Sequence, residues 1–166
     1  MALLQVNPVL SWQVRSLCLR PYPRHPRGCP NYDQRASCPP QASWYADVYD
    51  MDAPVYAVVS EFGLGSHMVR MRVSHPDWSL AQLRCVLYWQ GTARKALRRQ
   101  IEWALAGRGM QGYTAETCPE AMGVDVGATL AQVGITLEWP PGHIVRQVAL
   151  LGMPRGGSVP AERKET

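Results

Sequence analysis

Phenylalanine is almost missing from this chain of 166 residues: one Phe stands against six Trp and seven Tyr. The core must therefore combine aliphatic side chains with aromatics whose polar tips need a partner when buried. Charge is sparse as well, at 18% of residues, with a formal net charge of +4. That balance excludes a disordered polyelectrolyte and permits an anionic partner without demanding one. No apolar run is long enough to span a bilayer, so no membrane partner is expected. Residues 1–14 contain no basic residue and no small-residue cleavage site. No signal peptide is expected, and the cytoplasm is the expected compartment.

Familiar chemical motifs are lacking too. Gly63-Leu64-Gly65 has neither the third glycine nor the setting of a dinucleotide loop. There is no nucleophile elbow for a Ser/His/Asp hydrolase. The five cysteines contain no close pair of the kind that zinc fingers use. Their odd number argues against a complete disulfide framework, and a reducing compartment favours ligand, catalytic or core roles.

What is present is a segment of unusual composition. Residues 15–41 hold Pro21, Pro23, Pro26, Pro30, Pro39 and Pro40 together with Cys18, Cys29 and Cys38. Proline at this density excludes regular helix and central strand. A long loop in a compact domain needs a staple or a function, and three cysteines suggest a metal.

With 46% hydrophobic residues, the chain predicts a single domain over 1–153. The polar, Gly/Pro-rich residues 154–166 are expected to form a disordered tail. Expected elements are a short helix over 42–49, a hairpin of strands 55–62 and 68–73, and a long helix over 80–106 capped by Ser79 or Asp77. The long helix buries Val86, Trp89, Ala93, Leu97, Ile101 and Ala104. A second helix over 119–133 and two strands, 135–139 and 144–151, complete the set. The expected fold class is α+β: a mostly antiparallel sheet with helices on one face and a long N-terminal cysteine/proline-rich metal-binding loop.

Ten residues separate Cys18 from Cys29, and eight separate Cys29 from Cys38. Cys29 and Cys38 are each followed by proline, as in ferredoxin-type cluster loops. A rigid loop lowers the entropy cost of gathering thiolates. The spacing favours an iron–sulfur cluster over zinc, and zinc over no metal. Cys118, also before a proline, is the candidate fourth ligand. Cys85 is expected to be a small core residue of the long helix.

Arg20, Arg24, Arg27 and Arg35 make the loop basic and are candidate anion-binding residues. The alternative is charge compensation or simple solvation. Glu120 and Asp125 are candidate general acid/base groups beside the cluster. They serve equally as helix caps or pins for the loop.

Two elements carry a resemblance. Cys29-Pro30-Asn31-Tyr32, then Cys38-Pro39-Pro40 leading into a helix, resembles a family of uncharacterised cysteine-rich proteins described as predicted metal-binding. Glu120-Ala121-Met122-Gly123-Val124-Asp125-Val126 resembles that family's Glu-Ala-x-Gly-(Ile/Val)-Asp-Val element, with a cysteine just upstream, as at Cys118. The resemblance spans about residues 18–151 and implies metal binding, but no reaction. The expectation is thus an iron–sulfur protein of the 4Fe-4S type, either a cluster-dependent enzyme acting on an anionic small molecule or a non-enzymatic module with a redox partner. A zinc-stapled nucleic-acid-binding module is the less favoured alternative.

Overall fold

The computed structural model describes residues 3–21 and 25–157. Its elements, in chain order, are β1 (Leu4–Val6), α1 (Trp12–Ser16), α2 (Tyr45–Val48), β2 (Val55–Gly63), α3 (Leu64–Ser74), α4 (Leu80–Leu83), α5 (Gln90–Leu105), β3 (Thr114–Glu116), α6 (Val126–Ala131) and β4 (Ile144–Gly152). The strands form one antiparallel sheet in the order β1-β2-β4-β3. The α+β expectation is met.

The two long strands pair Ala57 with Leu150 and Val58 with Ala149. Because neighbouring side chains in a strand point to opposite faces, these two pairs address different sides of the sheet. Val55, Ala57 and Leu150 pack with Tyr45, Tyr49, Met122, Val124, Val126 and Leu130. Val58, Ala149 and Leu151 pack with Leu97, Ile101 and Ala104 of α5. Helical material therefore covers both faces, not one. The run Val-Tyr-Ala-Val-Val is apolar without alternation for that reason.

Four element assignments need correction. Met68–Val73 is helix, not strand. The alternation in Met-Val-Arg-Met-Arg-Val also fits a helix whose inner side carries His67, Met68 and Met71, and Met and Arg are good helix formers. β2 consequently pairs with β1 and β4, and Gly63-Leu64-Gly65 leads straight into α3.

The expected long helix is broken. Ser79 caps α4 in a capping box with Gln82, but Cys85 is extended and Val86–Tyr88 form a 3-10 turn. The Trp89 indole donates to the Arg84 carbonyl at 3.2 Å, and the Tyr88 amide turns to the Cys85 carbonyl instead. Cys85 thus sits half-buried at a break, not inside a helix, and Val86 is exposed. The rest of the predicted stripe, from Trp89 to Ala104, is buried.

The expected helix over 119–133 splits into a 3-10 turn at Pro119–Met122 and α6, because Gly123 adopts a left-handed φ of 88°. Residues 135–139 are not a strand; Ile135 and Leu137 pack on the core without a ladder partner. At the other end, Pro154 bridges Tyr49, Arg155–Gly157 form a 3-10 turn, and the remainder of the expected tail, 158–166, lies outside the described residues.

Candidate metal centre

The cysteine segment is held by main-chain and aromatic contacts. Cys18 lies in a 3-10 turn, Leu17–Leu19, directly after α1. Residues 26–44 follow as turns without helix or strand. The Cys29 amide donates to the Cys18 carbonyl at 2.7 Å. That approach requires glycine beside it: Gly28 has φ +84°, and a Cβ there would stand 2.5 Å from the Cys18 carbonyl oxygen. Further turns fold the segment on itself, with the Asp33 amide bonded to the Pro39 carbonyl at 2.8 Å and the Ala42 amide to the Cys38 carbonyl at 2.9 Å.

Arg15 ties this segment to α1. Its guanidinium donates to the carbonyls of Pro40 (3.1 Å) and Ala42 (2.7 Å) and lies 5.5 and 6.0 Å from the ring centres of Trp12 and Trp44. Trp12 stacks on Trp44 with centroids 4.2 Å apart. Trp44 in turn presses against Gly123, where a Cβ would meet the ring at 2.0 Å. The Ser11 amide donates to the Gly123 carbonyl, and the Asp125 amide to the Val9 carbonyl, each at 2.7 Å. These contacts deliver the segment 118–125 to α1 and the cysteine turns. Spacing gave no sign of the roles of Arg15, Trp12 and Trp44; only the fold joins them.

Cys18, Cys29 and Cys38 are all half-buried. Burial, and then the neighbouring Cys29, Cys38 and Glu120, push the Cys18 thiol above its ordinary range, while Arg15 pulls the other way. The three loop thiols thus share one electrostatic neighbourhood. Among the described residues, however, no three His, Cys, Asp or Glu side chains are gathered closely enough to hold a metal ion.

Cys118 is exposed, and its amide donates to the Glu116 carboxylate at 2.6 Å. It opens a 3-10 turn of four residues, Pro119–Met122, where the sequence predicts the start of a helix over 119–133. Glu120 is exposed as a residue, yet protein crowds its carboxyl. That desolvation, reinforced by Glu116, raises its pKa despite an opposing backbone hydrogen bond. Asp125 is a cap: its carboxylate accepts from the Ala128 amide at 2.9 Å and starts α6. Of its two readings, the structural one has the geometry.

Glu116 was not legible in the sequence. It is 5% exposed, on the sheet face that also buries Tyr45 and Tyr49. Burial, then Tyr49 and Glu116, drive the Tyr45 phenol far above its normal range.

Arg20, Arg27 and Arg35 are exposed, and Arg24 lies outside the described residues. Arg27 lines an open cavity of about 560 Å³ together with His25, Cys29, Tyr32 and Gln34. Arg20 and Arg35 are not among its lining residues. No helix of the described residues is long and apolar enough to cross a membrane. No family model, curated protein or solved structure matches this chain.

Proposed function

We propose that this chain is an iron–sulfur protein whose 4Fe-4S cluster is bound by the thiolates of Cys18, Cys29 and Cys38, with Cys118 as the fourth ligand. The observation that carries the reading is that the backbone turns bring Cys29 onto Cys18, through an amide–carbonyl bond of 2.7 Å at Gly28, with Cys18, Cys29 and Cys38 all half-buried in one turn-rich segment. The donor set suits the group: soft thiolates from a turn-rich segment, with the Arg15 cation close by. The thiols are not at ligand spacing, which is consistent with a set that metal binding itself draws together. A cluster supplies electron transfer or, with only three thiolates, an iron open to an anionic ligand. The cavity beside Cys29, with Arg27 and His25 in its lining, is the place where such a ligand would be held.

The test is the optical spectrum and the iron and sulfide content of protein purified without oxygen. Iron and sulfide in matching amounts are expected, lost in Cys38→Ser and kept in Cys85→Ser. Stoichiometric zinc without sulfide, or equal loss in both variants, would overturn the reading. Cys118→Ala separates the two roles: loss of the cluster indicates a closed four-thiolate carrier, and retention with an iron open to small ligands indicates an enzyme.

A further inference from the structure

Charge is divided unevenly along the chain. Residues 61–105 contain seven Arg and Lys against three acids, Glu61, Asp77 and Glu102, a net of +4. The whole chain carries +4, so everything else sums to zero. On α5 the exposed cations stand four apart, Arg94 with Arg98 and Lys95 with Arg99. Like charges at this spacing destabilise a helix; Glu102, exposed four residues after Arg98, offsets part of that cost, and an anionic polymer laid along Arg94, Lys95 and Arg99 would offset the rest.

The same region exposes stacked aromatic rings. Trp78 stacks on His75, at 3.9 Å and nearly parallel, and on Tyr88, at 4.9 Å. Tyr88 ends the 3-10 turn just before α5 and is 52% exposed. Further along the helix, Trp103 follows Arg99 by one turn and is 65% exposed. A run of cations flanked by exposed rings, Tyr88 before it and Trp103 after it, matches a backbone of phosphates carrying unpaired bases.

A membrane surface fits less well. α5 buries its apolar stripe in the protein, and the exposed apolar residues of this region, Val69, Val73, Leu80, Val86 and Leu87, come from α3, α4 and the turn before α5 rather than from one long amphipathic helix.

We propose that the surface formed by the His75–Trp78–Tyr88 stack and the cationic side of α5 binds single-stranded nucleic acid. Phosphates would meet Arg94, Lys95, Arg98 and Arg99, while bases stack on Tyr88 and Trp103. This reading is independent of the cysteine site.

The test is fluorescence anisotropy of labelled oligo(dT) and oligo(U) titrated with the full-length protein at several salt concentrations. Affinity should fall with salt with a logarithmic slope of about −3 if four phosphate contacts each contribute ~0.7. Tyr88→Ala should weaken binding roughly 5- to 150-fold through one lost stacked base, with Tyr88→Phe close to the parent. Lys95→Gln combined with Arg99→Gln should flatten the slope. Thermal melting of each variant checks that it remains folded. Absence of binding, binding by Tyr88→Ala equal to the parent, or binding to phosphatidylglycerol vesicles but not to the oligonucleotides would each overturn the proposal.

Discussion

The two halves of the molecule that matter most are built on different principles. The sheet and α5 form a regular, dry core in which Leu150, Leu151, Val58 and Ala149 are fully enclosed. The cysteine segment has little apolar burial of its own. It is held by backbone hydrogen bonds, one guanidinium and a tryptophan pressed on a glycine. Core stability is spread over many contacts, whereas stability of the segment rests on a few polar and aromatic clamps. A region of that kind opens locally at small cost unless a ligand ties it down.

The largest expected effect is on the core. Leu150→Ala should cost about 2–5 kcal/mol by the usual scale for buried leucine. Urea denaturation should show the loss as a lower midpoint for the whole chain, including the cysteine segment.

Gly123→Ala should come next, and it tests whether the clamp is separable from the core. An L-residue in the left-handed region and a Cβ driven into the Trp44 ring together cost about 2–4 kcal/mol. Limited proteolysis should then cut within residues 25–44 before the sheet unfolds. Simultaneous loss of both would show that the two regions form one cooperative unit.

Arg15→Met keeps the side-chain stem and removes the two bonds to Pro40 and Ala42. It should cost about 1–2 kcal/mol, within the range for charge-assisted hydrogen bonds at a partly exposed site. Hydrogen exchange at the Cys38 and Ala42 amides should accelerate while the β2 and β4 amides stay protected.

The smallest effect concerns pH. His67 is 8% exposed, packs against Phe62, and has no hydrogen-bond partner for Nε2. Burial, and then Arg70, lower its pKa below 6.5. Fewer protons are bound by the folded state than by the unfolded one, so His67 disfavours unfolding fully above 6.5, and this contribution is lost as pH falls toward the lowered value. Melting temperature should therefore drop between pH 7 and 5 more in the parent than in His67→Leu. Parallel pH profiles would remove His67 as the cause.

Local patterns carried much of the core. Val55–Phe62 and Ile144–Leu151 are strands in the structure as in the sequence, Ser79 is a cap, and the buried positions from Trp89 to Ala104 follow helical spacing. Each of these depends on neighbours within a turn or two, so the pattern survives without knowledge of the fold. Short segments were misread where two periods fit the same letters. Met68–Val73 satisfies both a strand and a helix, and only its packing after β2 decides between them.

The candidate site was legible as a list and not as an arrangement. Sequence by itself identified Cys18, Cys29, Cys38, Cys118, Glu120 and Asp125 as chemically notable; its exclusion of regular helix and strand from residues 15–41 holds for the turns from residue 26 onward but not for Arg15 and Ser16, which end α1, or for Cys18, which lies in a 3-10 turn. Tertiary structure alone decided that the Ser11 amide bonds to Gly123 beside the cysteine turns, that Asp125 is occupied as a cap, and that Gly123, far along the chain, is the floor beneath Trp44. The reason is physical: residue type and spacing set local conformational preference, while contacts across a hundred residues arise only when the two sheet faces bury their apolar side chains and bring the flanking turns together.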